Sequence, residues 1–309
     1  MNTYGTHFRV TTYGESHGLA VGAIIDGCPS GLRIDFEAID RDLARRRNGA
    51  PRQEEDRVEW ISGIKDGTTL GTPIAFSIRN NNVKSEDYDA LQHAFRPGQA
   101  DYTYHTKYGL RDHRGGGRAS ARETVARVVA GALAKQLLTP ISIMAEVDAL
   151  GPDLENDTRG GIVRCCITGL PAGVGEPLFG KLNAHMAAAM MSIPSAIGFE
   201  MGAGFAAALM PGSQYIDRWN QTIKHSNNQP ITQTNHCGGI QGGISNGMPV
   251  EFRVAFHPVA TLPQPVECLT EEGALTSIDV GGRHDRCHVL RAPVVVEAMA
   301  AITLADLML

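Results

Sequence analysis

The sequence predicts an α+β protein whose 309 residues build one unit from two similar halves. Three observations lead there. Apolar runs of strand length do not alternate regularly with helical patterns. No Gly-x-Gly-x-x-Gly joins a strand to a helix, so a doubly wound parallel sheet is not expected. A pattern near the start also returns: Ile25-Asp26-Gly27-Cys28-Pro29-Ser30-Gly31-Leu32 resembles Ile167-Thr168-Gly169-Leu170-Pro171-Ala172-Gly173-Val174, and each follows an apolar strand and precedes a helix. The interval is too long for a solenoid and fits two halves packed together.

In chain order, His7–Thr12 reads as a short strand running into Gly14-Glu15-Ser16-His17-Gly18, where flanking glycines leave a Ser-His pair accessible. Ala20–Ile25 is the next strand. Asp35 is placed to cap a helix through Arg47, with Ile39 and Leu43 on its apolar side and Arg45-Arg46-Arg47 at the end that suits cations. Arg57–Ile61 and Thr72–Ile78 read as strands joined through Gly67–Gly71. Helical spacing of Val125, Val128, Val129, Ala132, Leu133 and Leu137 predicts a central helix from about Ala119 to Leu138. A strand at Ile141–Val147 and a polar, turn-rich Gly151–Gly161 follow.

In the second half a helix is expected over Glu176–Met191, and Phe199–Phe205 is glycine-rich and strand-like. Gln214–His236, rich in Asn and Gln, reads as a long exposed loop that could cover a site. His236–Gly247 is glycine-dense and leads into the strand Val250–Phe256, where Phe252, Val254 and Phe256 alternate with Glu251, Arg253 and Ala255. Val294–Leu309 reads as a buried helix, and no apolar stretch reads as long enough to span a membrane.

The functional signal concentrates between Arg96 and Thr124. Arg96, Lys107, Arg111, Arg114, Arg118 and Arg122 surround Gly115-Gly116-Gly117, which leads into the central helix. Bare backbone N–H groups, a helix N-terminus and guanidinium forks favour bound phosphate or carboxylate. The net charge of −5 argues against general nucleic-acid binding and fits a locally basic cleft for a small multi-anionic ligand. The six cysteines form no Cys-x-x-Cys pair, so zinc or redox use is not expected, and their low density fits reduced thiols in a cytoplasm. No signal peptide is read at the N-terminus. Ser16 and His17 with Asp285 raise the alternative of a hydrolase triad, but adjacent Ser and His cannot readily point at each other, and Gly-x-Ser-x-Gly is absent.

Gly14-Glu15-Ser16-His17-Gly18, Arg96-Pro97-Gly98-x-Ala100-Asp101, Arg114–Thr124 and Arg283-His284-Asp285 resemble, in order, the motifs of the chorismate synthase family, from about Phe8 to Leu307. The resemblance implies a β-α-β sandwich with an internal pseudo-twofold, a single domain over residues 1–309 and a homotetramer. It implies a lyase that converts 5-enolpyruvylshikimate 3-phosphate to chorismate and phosphate by anti-1,4-elimination, on the shikimate pathway, with reduced FMN and no net redox change. NADPH enters only in members that also reduce flavin. Ser16, Arg46, Arg52, Arg96 and Arg118 match positions at the substrate, and Arg46 and Arg52 also match a nicotinamide contact in bifunctional members. Arg118, Ala119, Ser120, Gly242, His257, Pro258, Val259, Ala260, Thr261 and Arg283 match flavin positions. His17 matches the histidine that protonates reduced flavin or steadies its anion, and Asp285 the acid that helps flavin N5 take the C6 proton.

The chain also departs from the family. Gln99 stands where a second catalytic histidine, which protonates the departing phosphate, is expected, and His257 and Ile197 each replace a lysine. Ser195 stands for an alanine, and the segments after Arg52 and at Gly151–Gly161 are short. Glutamine donates a hydrogen bond but delivers no proton. Two readings stay open on the sequence: a cytoplasmic, FMN-dependent lyase acting on a small molecule, or a flavin- or phosphate-binding paralogue without lyase activity.

Overall fold

The computed structural model describes residues 2–50, 52–220, 231–280 and 285–309. The N-terminal half contains β1 (Thr3–Tyr4), β2 (Arg9–Tyr13), β3 (Ala20–Asp26), α1 (Phe36–Arg47), β4 (Val58–Ser62), the hairpin β5 (Ile64–Lys65) and β6 (Thr68–Thr69), β7 (Ile74–Arg79), β8 (Ala94–Phe95), α2 (Asp101–Tyr108) and α3 (Thr124–Leu137). The C-terminal half contains β9 (Ser142–Leu150), β10 (Gly161–Thr168), α4 (Leu182–Met191), β11 (Ala196–Met201), α5 (Gly212–Tyr215), the hairpin β12 (Ile240–Gln241) and β13 (Ile244–Ser245), β14 (Val250–Phe256), β15 (Val266–Thr270), β16 (Leu275–Ile278) and α6 (Ala292–Met308).

The two halves share one topology. One sheet runs β1-β2-β3-β7-β4 and the other β9-β10-β14-β11, with strands antiparallel throughout. Without the edge strand β1, each half reads strand, strand, helix, strand, hairpin, strand, helix, and each sheet places its strands first-second-fourth-third. The repeated proline turn is held identically in both. Gly31 N–H donates to Thr69 O, Leu32 N–H to Thr69 Oγ1 and Thr69 Oγ1–H to Pro29 O. Gly173 N–H donates to Ser245 O, Val174 N–H to Ser245 Oγ and Ser245 Oγ–H to Pro171 O. Both hydroxyls are buried, and each ties its turn to the hairpin by satisfying one backbone donor and one backbone acceptor. The expected pseudo-twofold is therefore present down to single hydrogen bonds.

Helices fill the space between the sheets. α3 covers β2 and β3, α6 covers β9 and β10, α4 covers β11, and α3 and α6 pack on each other. Gly131 permits that approach, because a Cβ there would lie 2.3 Å from the Ala298 Cβ. The inward strand positions are Ile74, Phe76 and Ile78 on β7 and Val250, Phe252, Val254 and Phe256 on β14, as the alternation requires. These side chains and those of the helices form one continuous apolar core. α6 is buried from Ala292 to Asp306. By composition His288–Met308 is long and apolar enough to cross a membrane, which departs from expectation, but 78% of its apolar window is buried inside the molecule. Its polar side chains are paired. Glu297 meets Arg45 and Lys135 and accepts the Ala145 N–H, and Asp306 accepts the N–H groups of Thr6, His7 and Phe8.

Several expected boundaries shift. α3 starts at Thr124, because three consecutive left-handed glycines break the backbone and Ser120 caps a separate 3₁₀ turn at Ala121–Glu123. α4 starts at Leu182 rather than Glu176: Gly175 is left-handed (φ +100°), Glu176 N–H bonds to Gly180 O, and Leu182 N–H is taken by Gly243 O. β11 ends at Met201, where left-handed Gly202 and Gly204 turn the chain. Of the loop expected at Gln214–His236, residues 221–230 lie outside the described residues. Its described ends are pinned, with Trp219 bridged to Thr232 and Asp217 accepting from Thr234, His236 and Cys237. β1, β8, α2, α5, β15 and β16 were not anticipated.

Candidate active site

The site lies where equivalent segments of the two halves meet. Residues 80–123 join β7 to α3, residues 257–291 join β14 to α6, and the two segments pair through β8 and β15, Phe95 opposite Leu269 and Ala94 opposite Thr270. Between them opens a cleft of about 690 Å³. A basin of about 190 Å³ adjoins it, sharing Tyr88, Gly115, Ser120, Ala121 and Asp285 as a common wall.

The glycine triplet shapes that wall. Gly115, Gly116 and Gly117 have φ of 59°, 77° and 53°. Gly115 is also held by space, because a Cβ there would lie 2.2 Å from the Cε1 and Nδ1 atoms of His17. Ser16 N–H donates to Gly117 O at 3.0 Å, and the His17 ring stands edge-on to Tyr88 with centroids 5.2 Å apart. Bare backbone thus lets the Ser16-His17 loop approach the triplet.

Ser16, His17, Arg46 and Arg52 come together in the basin, with Arg122, Arg291 and Lys84. Five basic side chains there face three acidic ones, Glu54, Asp87 and Asp285, so the basin favours anions. Arg52 donates to Ser16 O and Oγ at 3.0 and 3.2 Å and pairs with Glu54. Burial would raise the Glu54 carboxyl, but the Arg52 bonds outweigh it and hold it below its usual range. Arg46 donates to Thr124 Oγ1 and Ala121 O. Burial lowers its guanidinium to about 10; nearby Asp56 opposes that, while Arg122 and Arg291 add to it.

The larger cleft collects Arg96, Gln99, Arg118, Ala119, Ser120, His257, Val259, Ala260, Thr261 and Asp285. Its arginines are less free than their clustering implies. Arg96 forms a two-pronged pair with buried Asp101 at 2.8 and 3.1 Å. Burial opposes ionisation of Asp101, but Arg96 and Arg111 outweigh it and lower the carboxyl. Arg111 caps the carbonyls of Leu91 and Ala94, Arg114 pairs with Asp112, and Arg118 reaches back to Thr12 O at 2.8 Å. These guanidinium groups brace the loops, and Arg96, Arg111 and Arg118 also line the cleft. Gln99 Nε2 donates to Thr261 Oγ1 at 3.0 Å, joining two predicted residues from opposite halves. Asp285 is paired with Arg291 and accepts the Cys287 N–H. Pro258 lines neither space, and Gly242 lies at the turn of the β12–β13 hairpin, away from both. Arg283 lies outside the described residues.

Sequence reasoning passed over Tyr88, Glu54, Asp56, His288 and Arg291. The last two follow Asp285 by three and six residues, and that spacing was the one available signal.

The chain matches the family model described as chorismate synthase over residues 8–156 and 152–309, with the break in the polar segment expected to be short. A chorismate synthase of Porphyromonas gingivalis is 48% identical over 352 aligned positions, covering 99% of this chain and 95% of the relative. One of Christiangramia forsetii is 47% identical, covering 99% and 96%. The alignment of 352 positions exceeds the 309 residues here, so the relative carries segments that this chain lacks. A solved chorismate synthase superposes with a TM-score of 0.76 at 30% identity, covering 99% of this chain and 92% of that one. The chain belongs to the chorismate synthase family.

Proposed function

We infer that this protein is a lyase that eliminates phosphate from 5-enolpyruvylshikimate 3-phosphate to form chorismate, on the shikimate pathway of aromatic amino-acid synthesis. The family membership supports the reaction. The observation that carries the assignment of the site is the pair of adjoining spaces with a shared wall. The basin has an excess of guanidinium groups and the size of a small polyanion, and the larger cleft has the size and bare glycine backbone for a flavin beside it. We assign the phosphate and carboxylates of the substrate to Ser16, Arg46 and Arg52, assisted by Arg96 and Arg118 from the cleft side. Guanidinium forks suit those groups geometrically as well as by charge.

The residues present fit reduced FMN: the left-handed triplet offers backbone without side chains, and Ala119, Ser120, His257, Val259, Ala260 and Thr261 line the same cleft. When bound, reduced flavin supplies the electron-rich ring that accepts and returns charge during an elimination with no net redox change. The protein's own work is orientation and proton control. His17, wedged against Gly115 at the shared wall, is placed to hold a proton beside the ring, and Asp285 sits where the two spaces meet, positioned by Arg291. Gln99 holds Thr261 and offers an amide donor to the departing phosphate. An NADPH contact at Arg46 and Arg52, a homotetramer and a cytoplasmic location remain part of the proposal through family resemblance.

The test is anaerobic turnover with chemically reduced FMN, following chorismate absorbance and phosphate release together. Equal appearance of both is expected. Binding of both ligands without product would overturn the lyase in favour of a binding paralogue. Labelling of Ser16 by a serine-reactive phosphonate would revive the hydrolase reading, and none is expected.

A further inference from the structure

One imidazole of the large cleft has no role in this account. His288 begins the short turn before α6 and lines the cleft wall. Its ring is edge-on to Phe256 at 6.2 Å and lies 6.3 Å from the His257 ring. Behind it a void of about 50 Å³ extends to Arg46 and Arg291. The Nε2 atom of His288 is buried and has no hydrogen-bond partner among the described residues. Native proteins rarely leave a buried polar atom without a partner, so this one calls for an explanation.

The charged and titratable groups around the ring are Asp285 and Arg291 from its own segment, His257 from the segment after β14, and Arg46 of α1 across the void. Burial holds the imidazole down at about 4, with Asp285 opposing and His257 and Arg291 reinforcing that effect. The ring is therefore neutral near pH 7. A phosphate monoester in the cleft would add negative charge beside it and favour the protonated form.

We propose that His288, whose ring lines the large cleft, takes up a proton when a phosphate-monoester ligand enters that cleft. This rests on the reading that the cleft takes FMN next to a phosphorylated substrate. It would place a titratable donor in the same cleft as Gln99, which cannot give a proton. The phosphate comes from one of two sources, the flavin or the substrate, and the chemistry that His288 recognises is common to both.

The experiment is calorimetric titration of the full chain at pH 6 in buffers of different ionisation heat. Oxidised FMN, riboflavin and 5-enolpyruvylshikimate 3-phosphate with FMN present are compared in the wild type, H288Q and H288F. The readout is the difference in protons taken up between the wild type and each variant, which cancels the phosphate's own titration. If the His288 pKa rises from about 4 to about 6 on binding, the wild type takes up about half a proton more than either variant. A difference with FMN but not riboflavin assigns the flavin phosphate, and one that appears only with the substrate assigns the substrate phosphate. Equal uptake in the wild type and H288Q, with binding intact, overturns the inference and leaves the lyase reading standing. A difference as large with riboflavin as with FMN also overturns it, since riboflavin carries no phosphate. Failure of the wild type to bind either phosphorylated ligand overturns both. H288Q, which keeps a polar side chain of similar reach, decides the matter if H288F does not fold.

Discussion

The β2–β3 loop and the β9–β10 loop occupy equivalent places in the two halves and do different work. The first, Gly14–Gly18, carries Ser16 and His17 into the basin. The second, residues 151–160, carries none of the lining groups. It braces the far side instead: Thr158 Oγ1 donates to Val259 O at 2.7 Å, Arg159 N–H bonds to Arg286 O, and Arg286 returns to Leu154 O at 2.6 Å. So one loop presents chemistry, and its counterpart holds the 257–291 segment that presents His257, Asp285 and His288. The duplicated fold supplies two equivalent loop positions, and only local sequence decides which one lines the basin. The longer crossovers both enter the shared sheet, the first with β8 and the second with β15 and β16, and each lines one side of the cleft.

The comparison breaks hardest at Gly115. Gly115→Ala must move His17 and adopt a left-handed φ, so turnover is expected to fall by about 10²-fold or more, a loss typical of misplaced catalytic groups. Gly116→Ala meets no atom closer than 3.9 Å and carries only the backbone cost of about 1 kcal/mol, read as a small loss of denaturation midpoint with most activity kept. Equal loss of activity in both would mean that the triplet acts by flexibility rather than by admitting His17.

Gln99→His tests whether the cleft lacks only an acid. Turnover is expected to rise by about 10²-fold. Unchanged turnover with unchanged ligand binding would show that another group has already taken over the proton.

The repeated turn gives a matched pair. Thr69→Val and Ser245→Ala each remove a hydroxyl that bridges a part-buried N–H and a carbonyl, so each is expected to cost about 1 kcal/mol in chemical denaturation. We propose that both halves unfold in one transition. Two resolved transitions, each shifted by only one of the substitutions, would show that the halves fold separately.

The remaining effect is a pH slope. His288 titrates at about 4 in the folded chain and at its ordinary value near 6.5 when unfolded, so the unfolded state binds more protons between those values. Stability contributed by the neutral ring is therefore complete above about pH 6.5 and is lost as pH falls toward 4, by about 2 kcal/mol after allowing for partial solvent screening. H288F should flatten that part of the stability–pH curve. An unchanged slope would mean that the ring is more solvated than its burial implies.

Much of this architecture was legible in the chain. The Asp35 cap, the alternation of β14 and the apolar α6 follow from local pattern, and Asp35 does accept the Ala38 N–H. The repeat around Pro29 and Pro171 announced the two halves. Motifs far apart in sequence also named most of the residues that share the cleft. Other features were not legible for stated reasons. β8 has two residues, too short to show a period, and pairs only because the two crossovers meet. The start of α4 was hidden because its first N–H is claimed by a carbonyl more than sixty residues away. His288 carries no motif, and only burial distinguishes it from a surface histidine.

The sequence by itself determined the class of fold, the duplication, the glycine triplet and the identity of the charged groups. Those depend on periodicity, backbone conformational freedom and side-chain chemistry, which are properties of neighbours in the chain. Only the tertiary structure decided which arginines brace loops and which face the basin, that Gln99 would find Thr261, and that the two spaces would share the wall of Gly115, Ser120 and Asp285. Those outcomes depend on distances between segments joined by no local rule, and on burial, which turns a small separation into a large electrostatic effect.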